Sequence, residues 1–151
     1  MTGSLSGAPT AVAELRFVLP FPPSGNRYYR HVGYRTLLSR EGRAYRRQVC
    51  GLLAGRVGQP LSGPLDVELD LYPPDRRRRD WDNFQKAVWD ALQHAGVYRD
   101  DSQIRRAVIE MHAPDRESRA EVCIQPRQQQ IPTCPQHESA ASADRAAVSA
   151  T

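Results

Sequence analysis

Residues 75–86 read DRRRRDWDNFQK, and two carboxylates in this stretch, Asp80 and Asp82, stand on either side of Trp81. In an extended segment residues i and i+2 face the same way about 6.5–7 Å apart, so the pair can share one divalent cation. Oxygen donors suit Mg²⁺ or Mn²⁺, hard ions that keep several waters and bind through a few carboxylates together with a substrate phosphate. The competing reading is structural: Asp82 caps a helix and Asp80 neutralises an arginine. Lys86, the only lysine of the chain, follows Asp82 by four residues and so shares its helical face. A compact, mobile charge there can stabilise a pentavalent phosphorane or position a water. Its plainer alternative is an exposed ion pair worth about 0.3–0.5 kcal/mol.

Two neighbouring segments bear on the same chemistry. Arg76, Arg77, Arg78 and Arg79 form either a solvated loop or a phosphate-binding run, because four adjacent like charges repel and guanidinium forks match phosphate oxygens. In NRYYRHVGYR, residues 26–35, Arg27 and Arg30 interleave with Tyr28 and Tyr29. Such a segment grips phosphates and stacks on unpaired bases, or else packs its tyrosine pair into the core. A second acidic pair, Asp100 and Asp101, lies in VYRDDSQI and reads either as a turn with a capping aspartate or as a third ligand. A helix from Asp82 to Ala95 is about 21 Å long. The steps from Gly96 to Asp101 recover about 17–18 Å if extended. Asp101 therefore reaches Asp80 and Asp82 within its own chain only if residues 97–101 run back along the helix; a partner subunit is the other source.

The elements that must position these groups are legible from periodicity. Glu14 to Phe21 alternates as a half-buried strand and stops at Pro22-Pro23. Ser39 to Arg56 carries Tyr45, Val49, Leu52 and Leu53 at helical spacing, with Ser39 as N-cap. Pro64 to Tyr72 alternates again, its Asp66, Glu68 and Asp70 forming a solvated strand face. Asp82 to Ala95 places Phe84, Val88, Ala91, Leu92 and Ala95 on one helical stripe, closed by Gly96. Strands near 103–112 and 119–125 follow, joined by the polar turn 113–118. The order β-α-β-α-β-β predicts a single α+β domain, a mixed sheet packed with two helices.

The 151 residues suit one domain with a real core. No apolar run is long enough to span a membrane, and MTGSLSGAPTAVA lacks the basic and apolar regions of a signal peptide, so a cytoplasmic protein is expected. Cys50, Cys123 and Cys134 form no metal-binding cluster and read as free thiols, two of them in the core. Residues 1–12 carry no charge and 126–151 balance Arg127 and Arg145 against Glu138 and Asp144. The net +4 thus sits in the folded part, 13–125, and favours a polyanionic partner. The flanks read as a flexible N-terminus, 1–12, and a disordered polar tail, 126–151.

Four blocks carry a resemblance: PPSGNRYYRH (22–31), LSREGRAYR (38–46), PPDRRRRDWDNFQKAVWDALQHAG (73–96) and VYRDDSQI (97–104). In this order they resemble the RusA family of Holliday junction resolvases, over residues 15–125. The resemblance implies a small homodimeric, Mg²⁺-dependent endodeoxyribonuclease without organic cofactor, in which Mn²⁺ substitutes. It implies symmetric cutting of four-way DNA junctions in recombination and repair, in a bacterial cell and often from a phage or prophage gene. Its catalytic and metal-binding carboxylates fall on Asp80, Asp82 and Asp101, with Asp100 adjacent, and its catalytic lysine falls on Lys86. Gly25 departs from the family's usual Asn, and the tail after residue 125 has no counterpart. Two other readings stay open: a nuclease of broader range on flaps and forks that shares this site, and a branched-DNA-binding module that uses the arginines and does not cut.

Overall fold

The computed structural model describes residues 14–128, and the expectations for the N-terminal segment and for the tail beyond 128 lie outside them. The first strand, β1 (Leu15–Pro20), buries Phe17 and Leu19 and ends where the prolines remove backbone donors. A short helix, α1 (Gly25–Tyr28), and a two-stranded hairpin, β2 (Tyr29–Val32) with β3 (Arg35–Leu38), come next. Neither was expected. The hairpin is exposed on nearly every residue, so no apolar alternation marks it. Its turn is signalled only by Gly33, at φ 59°.

The helix α2 (Arg40–Leu53) starts as expected: the Ser39 hydroxyl accepts from the Gly42 amide at 2.9 Å, a cap worth about 1 kcal/mol. It stops earlier than the pattern suggested, just before Gly55 adopts φ 74°. The longest alternation becomes β4 (Leu65–Tyr72), with Leu65, Val67, Leu69 and Leu71 buried on one side. Next, α3 (Asp82–His94) buries Phe84, Ala87, Val88, Trp89, Ala91 and Leu92. A 3₁₀ turn (Asp101–Gln103) leads into β5 (Ile104–Met111), and β6 (Arg119–Pro126) completes the domain.

The sheet order is β1-β6-β4-β5, mixed, with β4 parallel to β5 and antiparallel to β6. The last two strands are therefore not a hairpin. The loop between them crosses the end of β4, where the His112 amide donates to Leu71 O at 2.8 Å and the Asp115 amide to Pro73 O at 3.0 Å. Apolar content explains the placement. β6 buries Ala120, Val122 and Ile124 and belongs inside the sheet, whereas β5 has no buried residue and suits an edge. The β4-α3-β5 crossover then makes the β4–β5 pair parallel. β6 also outlasts the expected boundary: the Arg127 amide bonds Pro64 O at 2.8 Å.

The core lies between one sheet face and the helices, which is a two-layer α+β domain with three helices in place of the expected two. Cys50 and Cys123 are free thiols but only half-buried, not core residues. No helix among the described residues is long and apolar enough to cross a membrane.

One contact sets the distance between α1 and α2. A Cβ on Gly42 would lie 2.4 Å from the Tyr28 carbonyl oxygen, which itself accepts from the Ser39 amide at 2.9 Å. The substitution Gly42→Ala should therefore destabilise the domain by about 1–3 kcal/mol, through overpacking against backbone. Urea unfolding measures this; an unchanged midpoint would show that the helices separate freely.

Candidate active site

The arginine run is held by a carboxylate that the sequence reading passed over. Asp75 Oδ1 accepts from the Arg77 amide at 2.9 Å and pairs with the Arg79 guanidinium at 2.7 Å. Arg79 also donates to the carbonyls of Asp75 and Arg77, at 3.0 and 3.1 Å, and sits 5.9 Å from the ring centre of Phe21. The hydrogen bond from Arg79, and next that from the Arg77 amide, holds the Asp75 carboxyl below its ordinary range. With only 16% of its side chain exposed, Arg79 is the strut of this loop. Arg76 and Arg78 are exposed and have no ion-pair partner among the described residues.

The half-buried guanidinium of the loop, Arg79, is thus paired by Asp75 and not by Asp80. Asp80 and Asp82 are both exposed and enter no ion pair or side-chain hydrogen bond among the described residues. Neither structural alternative holds for them. The residue before α3 is Trp81, already helical at φ −58° and ψ −31°, and no side chain caps this end. The Asp80 carbonyl, not its carboxylate, accepts from the Asn83 amide at 3.1 Å. Two unpartnered carboxylates thus flank the first residue of the turn, at the positive end of the helix dipole.

Beside Asp80 opens a cleft of about 630 Å³. Pro22 and Arg27 form one wall, and Arg77, Arg78 and Asp80 form the other. The Pro-Pro segment and the arginine segment, far apart in sequence, therefore face one space. Arg30 projects from the exposed hairpin. Of the tyrosines between these arginines, Tyr28 is fully buried, set edge-on to Tyr29 at 4.8 Å. Its hydroxyl donates to Asp90, and burial, then that bond, pushes its pKa well up. Tyr28 therefore has no ring face to offer a base, which corrects its place among the DNA-binding candidates; Tyr29 is half-buried.

At the other end of α3 the chain does run back along the helix. The Val97 amide bonds Leu92 O at 3.1 Å, and the Asp101 amide reaches Gln93 Oε1 at 3.1 Å. Gln93 lies two turns from Lys86 on the same face, and Lys86 Nζ donates to Asp101 Oδ2 at 2.7 Å. Asp100 serves differently. Its side chain accepts from the Ser102 amide at 2.8 Å, while Gln103 Oε1 accepts from the Asp100 amide at 3.1 Å, a capping box on the 3₁₀ turn. The Asp100 carboxyl is lowered chiefly by its bonds to Ser102. Gln93 and Gln103 are positioning residues absent from the sequence reading. The D-x-x-Q spacing of Asp100 and Gln103 was the available signal for the second.

The structure thus joins Lys86 to Asp101, with Asp82 about one helical turn before Lys86 and Asp80 just ahead of the helix. The carboxylates of Asp80, Asp82 and Asp101 do not all lie within 4.8 Å of one another, whereas donor atoms of one other group among the described residues, two carboxylates and an imidazole, do.

The Asp101 hydrogen bond raises the Lys86 pKa above the ordinary lysine value, with burial acting in the opposite direction. The sign follows. The pair stabilises the fold fully below the ordinary value of about 10.4 and loses that contribution as pH rises through the raised value. Since Lys86 is the only lysine, ¹³C-lysine labelling yields one resonance. Its midpoint should lie above 10.4 and fall in Asp101→Asn; equal midpoints would remove the pair.

The sequence matches the family described as Endodeoxyribonuclease RusA over residues 20–125. It is 49% identical over 87 residues to the crossover junction endodeoxyribonuclease RusA of Enterobacteria phage 82, covering 57% of this chain and 72% of that protein. The protein of the same name from Escherichia coli (strain K12) is 48% identical over the same share of each chain. That from Escherichia coli O139:H28 is 46% identical, again over 87 residues, 57% of this chain and 72% of the relative. With the arginine loop, the two aspartates and the lysine all inside the matched region, the chain belongs to the RusA family of Holliday junction resolvases.

Proposed function

We propose that this chain is a Mg²⁺-dependent endodeoxyribonuclease that resolves four-way DNA junctions by paired, symmetric phosphodiester hydrolysis. One observation supports it most: Asp80 and Asp82 are exposed carboxylates without partners among the described residues, and Asp80 lines a cleft together with Arg27, Arg77 and Arg78. A protein that only bound DNA would use the arginines and have no need of carboxylates that repel phosphate. The donor set fits a hard cation, since it consists of carboxylate oxygens: those of Asp80 and Asp82 have no partner among the described residues, and Asp101 is held by Lys86. Asp80, Asp82 and Asp101 would hold the ion. When bound, such an ion lowers the pKa of water toward neutrality and offsets charge on the phosphate.

The side chains do the rest of the work. Arg27, Arg77 and Arg78 hold backbone phosphates at the cleft, the exposed Arg76 of the same loop adds to them, and Arg30 and Tyr29 extend this contact along the exposed hairpin. Lys86 donates to a non-bridging oxygen of the scissile phosphate as negative charge builds in the transition state. To do so it exchanges Asp101 for the phosphate and frees that carboxylate. Attack of water in line breaks the P–O3′ bond, leaving a 3′-hydroxyl and a 5′-phosphate. A homodimer presents two such sites to a junction with pseudo-twofold symmetry, so that opposed strands are nicked together.

Asp82→Asn is expected to reduce nicking of a synthetic mobile junction to background while junction binding persists or tightens, because a repulsive charge is gone. EDTA should abolish wild-type nicking and Mg²⁺ restore it. Cleavage unaffected by Asp82→Asn would leave a binding module with a contaminating nuclease. Equal rates on junction, flap and plain duplex would instead indicate a nuclease of broader range.

The contact between Lys86 and Asp101 within one chain supports a site built in cis. In that case, mixed dimers of Asp82→Asn with Asp101→Asn subunits contain no intact site and stay inactive. Recovery of single-strand nicking in the mixture would assign Asp101 to the neighbouring subunit.

A further inference from the structure

The face of the sheet turned away from the helices holds a second set of metal-ligating groups. Across the strands, Asp70 of β4 is in register with Glu110 of β5 on one side and with Glu121 of β6 on the other. Three carboxylates in one row repel, since like charges opposite each other destabilise a sheet. Glu121 is relieved by Arg119 at 2.7 Å. Asp70 and Glu110 share a single partner among the described residues: His112 Nε2 lies 2.6 Å from Asp70 Oδ1, and Nδ1 lies 3.9 Å from Glu110 Oε1. One donor atom from each of Asp70, Glu110 and His112 falls within 4.8 Å of the others.

The imidazole is held in place. It stacks on Tyr72 with centroids 4.5 Å apart and planes 8° from parallel, and the Arg119 guanidinium lies 4.0 Å from the centre of the Tyr72 ring. The His112 amide is tied to Leu71 O at 2.8 Å, which aligns it with the end of β4. A preoriented imidazole beside two carboxylates on adjacent strands is a donor set of mixed hardness. We infer that Asp70, Glu110 and His112 bind one divalent transition-metal ion of the Zn²⁺ class, on the helix-free face and separate from the site on α3.

The chemistry chooses the ion. An imidazole with two carboxylates suits Zn²⁺, Co²⁺ or Ni²⁺, whereas Mg²⁺ prefers oxygen ligands alone. Donors about 2.0–2.2 Å from a tetrahedral ion lie about 3.4 Å apart, so Asp70 Oδ1 and His112 Nε2, now 2.6 Å apart, would separate by about 1 Å to admit it, with water as fourth ligand. Its structural effect is definite. β5 is an edge strand paired only with β4, and it follows directly on the turn that carries Asp101. An ion bridging Asp70 and Glu110 would fasten that strand to the centre of the sheet.

The test uses the full chain carrying Asp80→Asn and Asp82→Asn, which removes the α3 carboxylates from competition. Titration with Co²⁺, followed by its visible absorption, and with Zn²⁺, followed by calorimetry, should give one ion per chain and a higher unfolding temperature. Glu110→Gln, at an exposed position, and His112→Gln should each weaken binding at least tenfold, while Cys123→Ser leaves it intact. Far-ultraviolet dichroism checks that the variants fold. Binding that survives the Glu110→Gln, His112→Gln double variant, binding lost in Cys123→Ser, or none at submillimolar ion would overturn the inference.

Discussion

The site depends on a half-buried junction at Asp90. This carboxylate accepts from the Tyr28 hydroxyl and pairs with the Arg46 guanidinium, joining α1, α2 and α3 through one side chain. Each helix supports the candidate site through that joint. α3 begins with Asp82 and carries Lys86, α1 follows the Pro-Pro wall of the cleft, and α2 covers the core that supports both. A shared carboxylate deep enough to strengthen its hydrogen bonds sets the spacing of the three helices more narrowly than apolar packing alone.

The apparent conflict of four arginines beside two aspartates is resolved by division of partners. Asp75 takes Arg79 strongly and Arg77 weakly, and with Phe21 it folds the loop so that Arg79 turns inward. Asp80 and Asp82 are thereby left without cations and open to solvent. Four residues after Asp82 on the same helix, Lys86 holds Asp101, so the chain's only lysine and an aspartate from beyond the helix's C-terminus are held together.

The two faces of the sheet divide the labour in a similar way. The inner face is apolar and carries the helices; the outer face sets acidic residues of β4, β5 and β6 side by side, as the register requires. A strand whose polar positions read simply as solvated can be anything from inert to ligating, according to what its neighbours present.

Periodicity and capping chemistry alone determined β1, α2, β4 and α3, because each buries one face at a regular spacing or carries a local stop signal. The sequence likewise determined the family and the candidates Asp80, Asp82, Lys86 and Asp101, since these lie in contiguous motifs. Tertiary structure decided what depends on pairing between distant segments. It set β6 between β1 and β4, put Tyr28 in the core rather than at the surface, made Asp100 a cap, and faced the Pro-Pro segment toward the arginine loop. The physical reason is the same in each case: local sequence specifies which face of an element is apolar, while its neighbours, set by packing and register, decide which polar groups meet.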